Sequence, residues 1–234
     1  DAGLTGLGEV VSCSYVARSV VEAPRSAPFR HGLAAIVEGM DTGDINAVLE
    51  AMIAGTNWYG PGGVARHAMS GIDMALWDIK GKEQGQPVRR LLNPNAVDAV
   101  PCYASVLWPA EPELVAASAQ GFLNQGYRAV KYGWAPMGPD IELDEALVAA
   151  ARQALGDGVD LMVDAGRAWD AATAMRRVDR FRPYNLFWLE EPLKPFDTAG
   201  HRELCELSSI PIAGGEALTL VEEYETLMRE GRIH

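Results

Sequence analysis

Beyond residue 100 the chain alternates short apolar, β-branched or aromatic runs with longer amphipathic stretches. The runs are Tyr103 to Leu107, Ala129 to Tyr132, Leu161 to Val163, Leu186 to Leu189 and Ile210 to Ala213. Between them, Glu111 to Gln125, Asp140 to Leu155, Asp170 to Phe181 and Thr198 to Leu207 place apolar residues at helical spacing, and Leu220 to Arg232 reads as a further helix. Strands that alternate with helices predict a parallel sheet, because each crossover helix returns the chain to the same end of the sheet. Ser105 to Lys131, Asp164 to Glu190 and Glu190 to Glu216 are each 26 residues apart, with one longer step of 33 from Lys131 to Asp164. So steady a βα repeat predicts part of a barrel rather than a doubly wound sheet.

The first part of the chain has no such repeat. Leu4 to Val11 is Gly-rich and strand-like, which predicts a hairpin arm. Asp44 is placed to cap a helix in which Ile45, Val48, Leu49 and Met52 recur at helical spacing before Gly55. Val64, Ala68, Ile72, Ala75, Leu76 and Ile79 mark a longer helix that stops near Gly81 or Gly85. The loop between them, Asn57 to Gly63, carries Trp58 and Tyr59 among turn-forming residues. Asn93-Pro94-Asn95 breaks any helix before it, so the expected division is 1–98 and 99–234.

Composition narrows the function classes. A chain of 234 residues with 48% hydrophobic and 22% charged residues is that of a globular protein large enough to bury a core without disulfides. Its three scattered cysteines, Cys13, Cys102 and Cys205, then read as reduced, buried thiols in a cytoplasmic protein. Against 32 acidic residues stand 20 Lys and Arg, a net charge of −12 that repels nucleic-acid backbones and anionic lipid. No apolar stretch approaches the roughly 18 residues of a membrane span. Neither a signal peptide nor an initiating Met precedes Asp1, and the start reads as cut. No Gly-rich phosphate loop joins a strand to its helix, which argues against a nucleotide site.

The candidate chemistry lies at four successive strand ends, which carry Lys131, Asp164, Glu190 and Glu216. In a parallel barrel those ends share one mouth, and neighbouring strands lie only about 4.8 Å apart. Any one of these acids alone reads more readily as a helix cap or a surface charge. Three together at equal spacing would repel one another unless a cation sat between them, and an all-oxygen set with no His or Cys points to Mg²⁺ rather than Zn²⁺. Glu191 competes with Glu190, since alternation turns one of the pair inward and the other away. The spacing of 26 on both sides selects Glu190.

Several segments resemble the mandelate racemase and muconate lactonizing branch of the enolase superfamily. They are Met162-Val-Asp-Ala165 with Trp169, Trp188-Leu-Glu-Glu-Pro192, Ala213-Gly-Gly-Glu216, the helix Ala68 to Lys82, and Asp1 to Glu9. The resemblance implies an α/β protein, with a modified (β/α)8, TIM-like barrel preceded by an α+β capping domain. Asp164, Glu190 and Glu216 would bind Mg²⁺ for abstraction of the proton α to a carboxylate. Lys131 matches the first lysine of that family's Lys-x-Lys pair and would be an electrostatic partner of the substrate carboxylate. Gly133 stands where the second lysine, often a base, would be, and Gly166 where an Asn is frequent. A single base elsewhere favours dehydration of a sugar acid over two-base racemisation or epimerisation, and a silent metal or carboxylate binder is the third reading. Trp134 and Tyr59 are candidate substrate-lining residues, although core packing and anchoring of the cap explain such aromatics equally well. A homo-oligomer is expected at full length. Only five of eight βα units are present, so roughly 80 further residues are expected after His234 and part of the cap before Asp1, and the open piece alone should be poorly stable and inactive.

Overall fold

The computed structural model describes residues 3–28 and 31–234, which divide into two compact units, residues 1–99 and 100–234. In the N-terminal unit the described residues form α1 Ser14–Glu22, α2 Leu33–Val37, α3 Ile45–Gly55, α4 Val64–Gln84 and α5 Val88–Leu92. Leu33, Val48, Met52, Ala68, Met69 and Leu76 build its core. Asp44 caps α3 by accepting from the Ala47 N–H at 3.1 Å, and a left-handed Gly85 ends α4. Helices α2 and α5 have five residues each, too few for periodicity to reveal.

The expected hairpin arm is corrected. Asp1 and Ala2 lie outside the described residues, and residues 3–12 form no strand. This segment runs against α4: the Leu7 N–H donates to Asp78 Oδ2 at 2.8 Å, and Lys82 Nζ donates to the Thr5 carbonyl at 2.7 Å. A Cβ at Gly8 would stand 1.8 Å from the Gly71 carbonyl oxygen, so the alternating glycines serve close approach to a helix rather than strand pairing.

In the C-terminal unit β1 Ala104–Leu107, α6 Val115–Asn124, β2 Ala129–Gly133, α7 Ile141–Leu155, β3 Asp160–Asp164, α8 Ala171–Phe181, β4 Trp188–Glu190, α9 Thr198–Leu207, β5 Ile212–Ala213 and α10 Val221–Glu230 follow one another. The five strands are parallel and lie in chain order, giving the five βα pairs of a partial TIM-like barrel. Val130, Tyr132, Leu161, Val163, Leu189 and Ile212 share one core with Leu147, Val148, Val178, Phe181 and Leu204 of the helices. Strand alternation therefore leaves Lys131, Met162 and Glu190 on the opposite face. Asp140, Asp170 and Asp197 cap α7, α8 and α9. Glu223 reaches back to accept from the backbone N–H groups of Thr219 and Leu220, which caps the start of α10 and holds its carboxyl below the usual range.

The expectation of buried cysteines holds for Cys205 alone; Cys13 and Cys102 are exposed. Burial pushes the Cys205 thiol up to about 11, whereas a free thiol ionises near 8.5. Alkylation of the native chain at pH 8 should therefore add two labels and the unfolded chain three, counted by intact mass. Rapid native labelling of all three would show Cys205 to be accessible.

Candidate metal centre

The strand registers set the site. Asp164 and Glu190 are the last residues of β3 and β4 and lie side by side in register. Two of the four expected strand-end positions need correcting. Lys131 is the third of five residues in β2, and it is Gly133 that pairs with Asp164. Glu216 lies beyond β5, which ends at Ala213, and sits within the turn closed by the Leu218 N–H on the Gly215 carbonyl.

Even so, the carboxylates converge: Asp164, Glu190 and Glu216 each offer an oxygen, and these oxygens all lie within 4.8 Å of one another. Asp164 is buried, Glu190 half-buried and Glu216 exposed. Lys131 Nζ donates to Glu190 Oε1 at 2.6 Å and stands 3.9 Å from Asp164 Oδ2, so an ammonium already neutralises part of the cluster. The other oxygens of Asp164 and Glu190 also have donors. Gly166 N–H and Trp134 Nε1 reach the two oxygens of Asp164 at 2.8 and 3.1 Å, and Trp188 Nε1 reaches Glu190 Oε2 at 3.0 Å. Trp188 and Glu190 are two apart on one strand and hence on one face, a spacing that reading for acids alone overlooked. Tyr103 was missed as well; its ring lies 5.7 Å from Lys131 Nζ.

The electrostatics are those of an anionic cluster. Burial raises the Asp164 carboxyl above its ordinary value, and Glu190 adds to that against the Gly166 N–H, Lys131 and Trp134. Glu216 is raised by burial first, then by Glu191 and Asp164, with Arg167 opposing. Burial pulls Lys131 down, but Glu190, Tyr103 and Asp164 outweigh it and leave it raised. Carboxyls pushed toward their neutral forms by burial and by one another fit a hard dication, which reverses the repulsion and takes oxygen ligands.

Gly133 is required by the same crowding. A Cβ there would lie 2.6 Å from the Cβ of Asp164. Trp134 follows with a left-handed backbone (φ 68°) that turns its indole onto Asp164. Tyr59 belongs to the N-terminal unit, where its hydroxyl donates to the His31 carbonyl at 3.3 Å. His201 is buried with its ring Nδ1 2.8 Å from the Asp197 carbonyl oxygen.

Comparison with known families gives two matches. Residues 1–93 match the mandelate racemase / muconate lactonizing enzyme N-terminal domain, and residues 114–234 match the enolase C-terminal domain-like family. The chain belongs to the mandelate racemase/muconate lactonizing enzyme family of the enolase superfamily. Among curated members, it is 36% identical to L-talarate/galactarate dehydratase of Salmonella typhimurium over 81% of its own length and 48% of that enzyme's. A racemase structure from Streptomyces coelicolor with bound magnesium superposes with TM-score 0.87 at 32% identity, over 100% of this chain and 64% of that one. L-talarate dehydratase from Polaromonas, complexed with Mg and L-glucarate, gives 0.77 at 35% identity over 85% and 55%. The chain thus spans about half to two thirds of the length of these relatives. Among the described residues no helix is long and apolar enough to cross a membrane.

Proposed function

We propose that this chain carries the metal-binding part of a Mg²⁺-dependent lyase that dehydrates a sugar acid, beginning with removal of the proton α to its carboxylate. The observation that carries the reading is the convergence of Asp164, Glu190 and Glu216 beside the Lys131 ammonium. Those three carboxylates would hold Mg²⁺, which supplies charge stabilisation for the enediolate that forms when the α-proton leaves. Lys131, held by its hydrogen bond to Glu190, serves as a fixed positive partner for the substrate carboxylate. Trp134, part-exposed, lines the substrate and holds Asp164 through its indole N–H. We assign no general base to these residues, and Gly133 offers none.

The dehydratase relatives support water loss, and the magnesium-bound racemase relative supports racemisation or epimerisation as the second reading. Incubating the full-length protein with a sugar-acid library and Mg²⁺ in D₂O separates them. A keto-acid product is the expected outcome. Solvent deuterium in recovered substrate without a keto acid would favour the isomerase, and neither signal would leave a silent binder. The same reading places the protein in the cytoplasm as a homo-oligomer acting on small molecules; its net charge of −12 supports the exclusion of nucleic acid.

A further inference from the structure

Glu191 is a buried carboxylate for which the proposed chemistry has no use. It is 3% exposed, and its Oε2 accepts no hydrogen bond among the described residues. A carboxylate so placed calls for a charged partner, because burial penalises an unpaired charge. The nearest cation is Arg167, whose Nε lies 3.4 Å from that oxygen.

The surrounding contacts show what the pair joins. The other carboxylate oxygen of Glu191 accepts from the Gly215 N–H at 3.2 Å, one residue before Glu216. Its backbone carbonyl accepts from the Arg167 N–H at 2.7 Å, three residues after Asp164, and its own N–H donates to the Ala213 carbonyl at 2.9 Å. Glu191 itself follows Glu190. One residue therefore touches the turns that carry all three carboxylates of the cluster. Both ends of the ion pair stand in left-handed backbone, Arg167 at φ 66° and Glu191 at φ 43°. Glu191 also precedes Pro192, a position that favours extended backbone. Such conformations persist only where surrounding structure holds them, and they gather at functional sites.

We infer that Glu191 is a positioning residue for the cation site: with Arg167 it straps the Asp164, Glu190 and Glu216 turns into ligating register without itself binding the ion. The inference rests on the metal-centre reading above. Outer partners that orient ligands typically change metal affinity 10–100-fold. Glu191→Gln keeps an acceptor for the Gly215 N–H and removes the charge that faces Arg167. Arg167→Gln removes the other half of the strap from a part-exposed position and discriminates more sharply. Loss of a nearby positive charge would by simple repulsion tighten cation binding, whereas loss of a strap weakens it.

The test is Mn²⁺ affinity in the full chain, read by electron paramagnetic resonance well below the melting temperature. We expect each single variant to bind about tenfold or more weakly. The double variant should be no worse than the weaker single, because both remove one ion pair. Wild-type affinity in both singles, tighter binding in Arg167→Gln, or additive losses would overturn the inference. If Glu191→Gln does not fold, Arg167→Gln alone decides. A wild-type chain that binds no Mn²⁺ would instead overturn the metal-centre reading, and the strap with it.

Discussion

Asp164→Asn is expected to weaken Mg²⁺ binding by more than the roughly 100-fold that loss of an outer partner brings, because a ligand and a charge are removed together. The effect should fall in the order Asp164, Glu190, Glu216. Asp164 is the buried member, its carboxylate aimed by the Gly166 N–H and the Trp134 indole, so no mobile neighbour can take its place. Glu216 is exposed and sits in a turn past the end of β5, where another oxygen or water substitutes more readily. Stability of the metal-free protein should separate Glu216 from Glu190. Glu216→Gln removes one of several mutually repelling carboxylates and should leave the metal-free melting temperature unchanged or raised. Glu190→Gln deprives Lys131 of the carboxylate it touches at 2.6 Å and should lower it. Calorimetric titration with Mg²⁺ and thermal melts with and without metal read both effects. Undiminished Mg²⁺ affinity in Asp164→Asn would remove that residue from the site and with it the centre of the proposed function.

Much of this site could be read before any coordinates, for a physical reason. In a parallel barrel a strand end is a place in sequence, and a repeat of 26 residues brings Asp164 and Glu190 to the same level of adjacent strands. Where the chain leaves that regularity, the reading slipped. Lys131 looked level with the acids because Ser105 and Lys131 keep the repeat, but the longer step to Asp164 puts Gly133 opposite it instead. Glu216 follows a strand of only two residues, so its place is set by a turn rather than a register. Arg167 escaped notice and Glu191 was turned to the wrong side, because left-handed residues break the alternation that assigns faces. Glu191, expected to turn away from the mouth, is buried beneath it with its carboxylate on Gly215. In the N-terminal unit, a glycine pattern that suits a hairpin equally suits an extended segment laid on a helix, and only the partner, α4, distinguishes them.

The largest stability effect is expected away from the carboxylates, at a buried pair joining α7 to α8. Arg177 Nε lies 3.0 Å from Asp144 Oδ2, and both side chains are almost wholly buried. The second Asp144 oxygen accepts from the Gly138 N–H at 2.8 Å, while Arg177 and Trp169 Nε1 donate to the Gly138 carbonyl at 3.2 and 2.9 Å. The guanidinium also lies 5.4 Å from the centre of the Trp169 ring. Together these groups hold the loop between β2 and α7, the loop that begins with Trp134. Removing one partner of a buried pair leaves an uncompensated charge, typically about 3–5 kcal/mol. For a chain of this size that corresponds to roughly 10 °C in melting temperature for Arg177→Met. The loss should depend on pH. Burial already raises the Asp144 carboxyl, opposed by the Gly138 N–H and Arg177. Without the guanidinium, Asp144 holds its proton in the folded state to higher pH than in the unfolded chain, so the variant loses stability as pH rises. Its deficit against wild type should be smaller at pH 5 than at pH 7.5. Replacing both residues with apolar ones should not restore wild-type stability, since Gly138 would then keep a buried N–H without its acceptor. Melts of Arg177→Met across that pH range are decisive: a deficit under about 2 °C, or one that does not change with pH, would show that the pair does not hold the loop.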